Sequence, residues 1–230
     1  MTPCFGRSAR PVNGACHTVT IRSRASRTSL EADPRSAEVE PWSWSVLEPR
    51  LSREGPERYL ATMVVPVLLR PAEPDGATRL ALVHHTVWRA TYADLVPDSF
   101  WQTATLEERT SSWKRWLGPE ASPGRIRITV VEMDDAVVGF GIGGPSREVG
   151  SHTPVRDVEL YSLYVLPEHH GTGTGQALLD VVVPPGPAQV WVAEENPRAR
   201  RFYARNGFEP DGPRHADARF GGIVEIRLVR

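Results

Sequence analysis

The chain predicts an α/β fold of the α+β kind, with strands and helices alternating without a strict repeat. The run VELYSLYV at 158–165 is rich in β-branched, aromatic and aliphatic residues and reads as a strand that passes through a glycine-rich loop into a helix. Segments 125–133 and 136–144 alternate around Asp134–Asp135 as the arms of a hairpin do. Between 77 and 91, Leu80, Val83, Val87 and Ala90 recur at the spacing of one buried helix face.

A length of 230 residues suits one domain with an attachment or two very small ones, and with a formal net charge of −1 nothing points to nucleic acid or an anionic membrane surface. No apolar run is long enough to span a bilayer. Cys4 and Cys16 both fall near the N-terminus, so the rest of the chain has no cysteine to pair. That rules out a disulfide scaffold and predicts a reducing, cytoplasmic setting. Residues 1–61 are rich in Arg, Ser, Pro and Glu and lack any apolar rhythm, which predicts a disordered or loosely attached extension ahead of a domain at 62–230. Arg7, Arg10, Arg22, Arg24 and Arg27, with no acid among them, resemble a transit peptide. A dispensable tail, with translation starting at Met63, is the preferred expectation.

In chain order, 64–69 predicts a first strand, ended by Arg70–Pro71, and 77–91 the first helix. His84, Trp88 and Tyr92 recur every fourth residue on an adjacent face, either as core or as an aromatic wall that would hold an amine. His84–His85 has no third ligand at sensible spacing, so no metal is expected. After a loop, 106–117 predicts a second helix. Gly139, Gly141, Gly143 and Gly144 weaken the second hairpin strand, which marks close approach by a ligand or by another backbone. A polar loop fills 145–156. Pro184–Pro185 end the helix after the glycine loop, 188–193 predicts the next strand, and Asn196–Pro197 supply N-cap and first position of the following helix. Phe208–Glu209 and 222–229 predict the last antiparallel strands.

The loop itself is an anion cradle. Gly171, Gly173 and Gly175 stand on alternate positions where a strand meets a helix. The first N–H groups of a helix have no internal partner, and the dipole favours negative charge there. A diphosphate-bearing cofactor follows. A nucleoside-triphosphate loop needs a Lys that is absent, and a dinucleotide loop needs Gly where Gln176 stands. Glu194–Glu195 do lie where a ribose-binding acid would be wanted, but too little chain follows them to complete a doubly wound sheet.

Taken together with WVAEENPRARRFYARNGFE at 191–209, this stretch resembles the GNAT superfamily of acetyl-CoA-dependent N-acetyltransferases. The pattern [QR]-x-x-G-x-[GA] is met by His170, Gly173 and Gly175, with His in place of the usual Gln or Arg. N-x-x-A-x-x-F-Y-x-x-x-G-F is met by Asn196, Ala199, Phe202, Tyr203, Gly207 and Phe208. The resemblance implies a mixed central sheet of six to seven strands flanked by about four helices. It implies acetyl-CoA as co-substrate and no metal, with the pyrophosphate held by His170, Gly171, Thr172, Gly173, Thr174, Gly175 and Gln176. Leu163, Tyr164 and Val165 would bond the pantetheine arm through their main chain, and one freed N–H there would polarise the thioester. Asn196 is either a cap or a direct contact to the coenzyme.

The implied reaction is direct attack by a primary amine, of a small molecule or a peptide N-terminus, through a tetrahedral intermediate. Tyr203 stands where the family places its general acid. For the base, Glu159 comes first, His84 second and Glu168 third. His84, Trp88 and Tyr92 would wall the acceptor site. No nucleic-acid or membrane partner is expected, and a homodimer is compatible with the sequence. The alternative is an inactive GNAT-like module that binds CoA or a small amino-acid ligand as a sensor.

Overall fold

The computed structural model describes residues 17–19, 67–118 and 125–230. Its strands are His17–Val19 (β1), Val67–Pro71 (β2), Arg127–Met133 (β3), Ala136–Pro145 (β4), Val158–Val165 (β5), Gln189–Ala193 (β6), Glu209–Asp217 (β7) and Ile223–Val229 (β8). They form one sheet in the order β1-β2-β3-β4-β5-β6-β8-β7, antiparallel throughout except for the β5–β6 pair. The helices are Ala77–Tyr92 (α1), Asp98–Thr103 (α2), Leu106–Trp116 (α3), Thr174–Val182 (α4) and Pro197–Arg205 (α5). β2 to β8 make the mixed sheet that the motifs imply, and β1 adds an edge. Outside β1, the expectations for 1–61, including both cysteines, lie outside the described residues, as do Met63 and the first part of the strand expected at 64–69. No helix among the described residues is long and apolar enough to cross a membrane.

The hairpin turns where Asp134 and Asp135 adopt φ of 50° and 62°. Aspartate tolerates that left-handed region, and paired positive φ values match the twist of the flanking strands. The glycines of β4 are explained by neighbouring protein rather than by a ligand. A Cβ at Gly139 would lie 2.6 Å from the Tyr164 carbonyl oxygen, and one at Gly143 2.5 Å from that of Val182. So α4 and β5 pack directly on the β4 backbone.

α1 and α3 cover one face, where Leu80, Val83, Val87 and Trp113 pack on Val130, Phe140 and Ile142. α4 and α5 cover the other, burying Leu178, Leu179 and Val182 against Val131, Val138, Leu160 and Val190. α5 starts as the sequence predicts: the Asn196 side-chain oxygen accepts from Ala199 N–H at 3.0 Å, and Pro197 follows. It stops at Gly207, whose φ of 78° is the left-handed C-terminal conformation. Two elements exceed the sequence reading. α2 forms inside the segment read as a loop, and β7 runs on to Asp217. The Pro and Gly of β7 are tolerated because it is an edge strand, with an irregular register between Pro210 and Arg214.

Candidate active site

β5 is the strand on which the site is built. It pairs with β4 along its length, with an irregularity that leaves Tyr161 as an extra residue between the Leu160↔Gly143 and Ser162↔Ile142 pairs. On its other side it meets β6 only through Glu159↔Gln189 and Leu160↔Val190. Beyond Leu160 the parallel strands part, and Leu163, Tyr164 and Val165 face a wedge with no strand partner on that side. Gln189 clasps the closed end: its Nε2 donates to Glu159 at 3.0 Å, and its carbonyl oxygen accepts from Val155 N–H at 3.1 Å.

The glycine loop sits at the open end. Pro167–His169 forms a single 3₁₀ turn. His170 Nε2 then donates to the Val165 carbonyl at 2.8 Å, while Nδ1 accepts from Arg198. These contacts fix a neutral tautomer, and burial lowers its pKa in the same sense. His170 thus bonds back from the loop to the strand, at the position where the family pattern carries Gln or Arg. Gly171 and Gly173 take φ of 78° and 93°. Gly173, as N-cap of α4, offers no side-chain bond to the first turn. The N–H groups of Thr174, Gly175 and Gln176 therefore point out of the helix without an internal acceptor. The Gln176 side chain is tied back to Asp180 and Asn206, at 2.8 Å each, and leaves this space clear. A pyrophosphate fits such an end. The Asn196 side chain caps α5 and also meets Tyr92.

On the α1–α3 face a cavity of about 1560 Å³ is lined by Trp88, Tyr92, Arg109, Tyr164, Phe220 and Glu225, among others. Trp88 Nε1 donates to the Tyr164 hydroxyl at 2.9 Å. Burial pushes the phenols of Tyr92 and Tyr164 above their ordinary range. Trp88 and Tyr92, with His84, line this cavity.

The base assignments need correction. Glu159 is 1% exposed, with every lone pair directed at a donor. Oε1 accepts from Arg147 Nε at 3.0 Å and Nη2 at 2.6 Å; Oε2 accepts from Arg147 N–H and Gln189 Nε2, both at 3.0 Å. It is a structural anchor with no free oxygen to take a proton. His84 is buried; Nδ1 meets Trp113 Nε1 at 3.2 Å and Nε2 meets Arg109 at 2.9 Å. Burial, then the Arg109 charge, lowers its pKa well below the usual value, so it is a poor base. Glu168 is exposed on the 3₁₀ turn.

Glu225 is the residue that sequence reasoning missed. It projects from β8 into the cavity, and burial, followed by the nearby Asp217 charge, raises its pKa to about 7. The available signal was an acid in the middle of the apolar run IVEIRLV. Tyr203 is buried at 6% exposure between Phe202 and Phe208, with ring centroids at 5.3 and 5.8 Å. Burial, then Tyr92, pushes its phenol up, so it stays protonated through neutral pH. Among the described residues no cluster of His, Cys, Asp or Glu is arranged to hold a metal.

A family model described as "Acetyltransferase (GNAT) domain" matches residues 124–210. An uncharacterized N-acetyltransferase of Bacillus subtilis, YuaI, is 30% identical over 139 residues, which cover 57% of this chain and 74% of that protein. Uncharacterized N-acetyltransferases of Mycobacterium bovis and Mycobacterium tuberculosis are 48% identical over 65 residues, 26% of this chain. The chain spans only 42% of the length of those mycobacterial relatives. The PaiA N-acetyltransferase of Thermoplasma acidophilum, solved in complex with coenzyme A, shares the fold with a TM-score of 0.50 at 20% identity, over 70% of this chain and 97% of that one. A crystal structure described as histone acetyltransferase HPA2 and related acetyltransferase, from Corynebacterium glutamicum, matches with a TM-score of 0.52 at 18% identity, over 70% and 93%.

Proposed function

The chain belongs to the GNAT superfamily of acetyltransferases, and on that premise we propose that it moves an acetyl group from acetyl-CoA to a primary amine. The observation that carries this reading is the parting of β5 from β6 after Leu160 and Val190, beside the uncapped start of α4. The main-chain N–H groups of Thr174, Gly175 and Gln176 would hold the pyrophosphate, and the β5 backbone at Leu163, Tyr164 and Val165 the pantetheine arm. When bound, acetyl-CoA supplies an activated acetyl thioester.

The chain's own residues do the remaining work. Trp88, Tyr92 and Tyr164 wall off the acceptor from water. The Glu225 carboxylate, half ionised near neutral pH, accepts the proton of the incoming ammonium and leaves a nucleophilic amine. Tyr203 Oη, protonated at neutral pH, would give its proton to the coenzyme sulfur as that group leaves. The globular part has no cysteine to form an acyl-enzyme, which supports direct transfer.

Calorimetric titration with CoA, followed by release of free thiol from acetyl-CoA in the presence of pooled primary amines, tests the reading. Saturable CoA binding with amine-dependent thiol release is expected. Saturable binding without release from a broad pool would favour a silent sensor module. Absence of any CoA response at millimolar concentration would remove the basis of both.

A further inference from the structure

Among the described arginines that line this cavity, Arg109 is the partly buried one without an anion. Arg70 pairs with Glu132, Arg115 with Glu108 and Arg147 with Glu159, while Arg127, also without an ion pair, is exposed. No carboxylate among the described residues pairs with Arg109, and its Nε is buried without a hydrogen-bond partner. The guanidinium instead lies 4.9 Å over the Trp88 ring, with Nη1 2.9 Å from His84 Nε2.

Two helical pairs spaced four apart build this arrangement: His84 and Trp88 on α1, Arg109 and Trp113 on α3. The pairs interlock but do not fully satisfy one another. Trp113 donates to His84 Nδ1 at 3.2 Å, and a neutral imidazole accepts at one nitrogen only. His84 can therefore serve Trp113 or Arg109, not both. A half-buried cation whose one polar neighbour is already claimed carries an uncompensated desolvation cost, which an incoming anion would offset. Burial lowers the Arg109 pKa accordingly.

The coenzyme phosphates belong at the glycine loop, so an anion at Arg109 must come from the acceptor. Tyr164 is in electrostatic range of Arg109 and also of Glu225. The cavity thus holds a cation and an acid that each lie near Tyr164, with Trp88, Phe220 and Ile223 supplying apolar surface. That pair of opposite charges matches a molecule carrying both an ammonium and a carboxylate.

We propose that Arg109 binds a carboxylate of the acceptor, so that the acceptor class is amino acids rather than simple amines or polyamines. This rests on the acetyl-transfer reading above. CoA-loaded protein is compared with amino acids and with the amines left by their decarboxylation (phenylalanine against phenethylamine, and so on through the series). Thermal shift and thiol release are read for each pair.

Amino acids are expected to exceed their amines by roughly 10- to 100-fold, the worth of a charge-assisted bidentate contact. Arg109→Gln should bring that ratio to near unity, and Arg109→Lys should keep part of it. CoA titration of each variant reports folding and the coenzyme site separately. Amines equal to or better than amino acids, a ratio untouched in Arg109→Gln, or no response to any amino acid would each overturn the inference. Saturable CoA binding with thiol release from simple amines would leave acetyl transfer standing while this assignment falls.

Discussion

The wedge at β5 and the cavity under α1 and α3 meet at Tyr164, yet they are built from different materials. The wedge is main chain: a strand edge without a partner, two glycines at positive φ and the first N–H groups of a helix. The cavity is side chain: Trp88 from α1, Arg109 from α3, Tyr164 from β5 and Glu225 from β8. Backbone would grip whatever carries a pyrophosphate, and the glycine loop that offers its N–H groups is set mostly by local conformation. Side chains select an acceptor, and they depend on elements far apart in sequence. One half can therefore stay constant while the other changes specificity.

Substitutions can break that division or sharpen it. The largest effect is expected at Glu225. Glu225→Gln should lower kcat/KM by roughly 10²- to 10³-fold, the range for removing a positioned base. Wild-type activity should rise with pH through about 7, as the carboxylate ionises, and that limb should vanish in the variant. Stability gives an independent sign check. The folded pKa lies above that of a free carboxylate, so the folded state holds the proton more tightly than the unfolded chain. The resulting stability is complete at low pH and declines as pH rises through about 7. Glu225→Gln should therefore raise the melting temperature at pH 8 relative to wild type; no gain would mean the site is already well solvated.

Tyr203→Phe comes next, with kcat lowered about 10²-fold and the coenzyme Kd little changed. Equal turnover across pH would reduce Tyr203 to a packed aromatic. Gly173→Val tests the backbone half. Forcing a β-branched residue to φ near 93° costs about 1–2 kcal/mol, so the Kd for CoA should rise roughly 10-fold by calorimetry.

The smallest catalytic effect is expected at Glu159, where Glu159→Gln should leave the pH–rate profile unshifted. It should instead cost about 1–3 kcal/mol of stability by chemical denaturation, less than a fully buried pair because the Arg147 side chain is 55% exposed. A shifted acid limb would return Glu159 to the role of base.

The corrections at Glu159 and His84 have a common origin. Both sit on elements that the sequence marks correctly, and both are chemically able to accept a proton. What disqualifies them is the company of Arg147 and Gln189 in one case and of Trp113 and Arg109 in the other. Each of these partners lies at least a dozen positions away, so local pattern carries no trace of them. The glycines of β4 teach the same lesson: their spacing signals close approach, and only the packed fold identifies the neighbour as the carbonyls of Val182 and Tyr164.

From its sequence alone the chain determined the hairpin at Asp134–Asp135, the amphipathic face of α1, the capped start of α5 and the glycine loop that opens α4. All of these are set by φ preferences, periodicity and unpartnered N–H groups within a few residues. Tertiary structure decided where β5 and β6 part, that Glu159 is fully hydrogen-bonded and that Arg109 is partly buried without an anion. Those outcomes depend on how strands and helices distant in the chain pack and on which buried groups then find a partner, because desolvation and pairing are properties of the assembled interior.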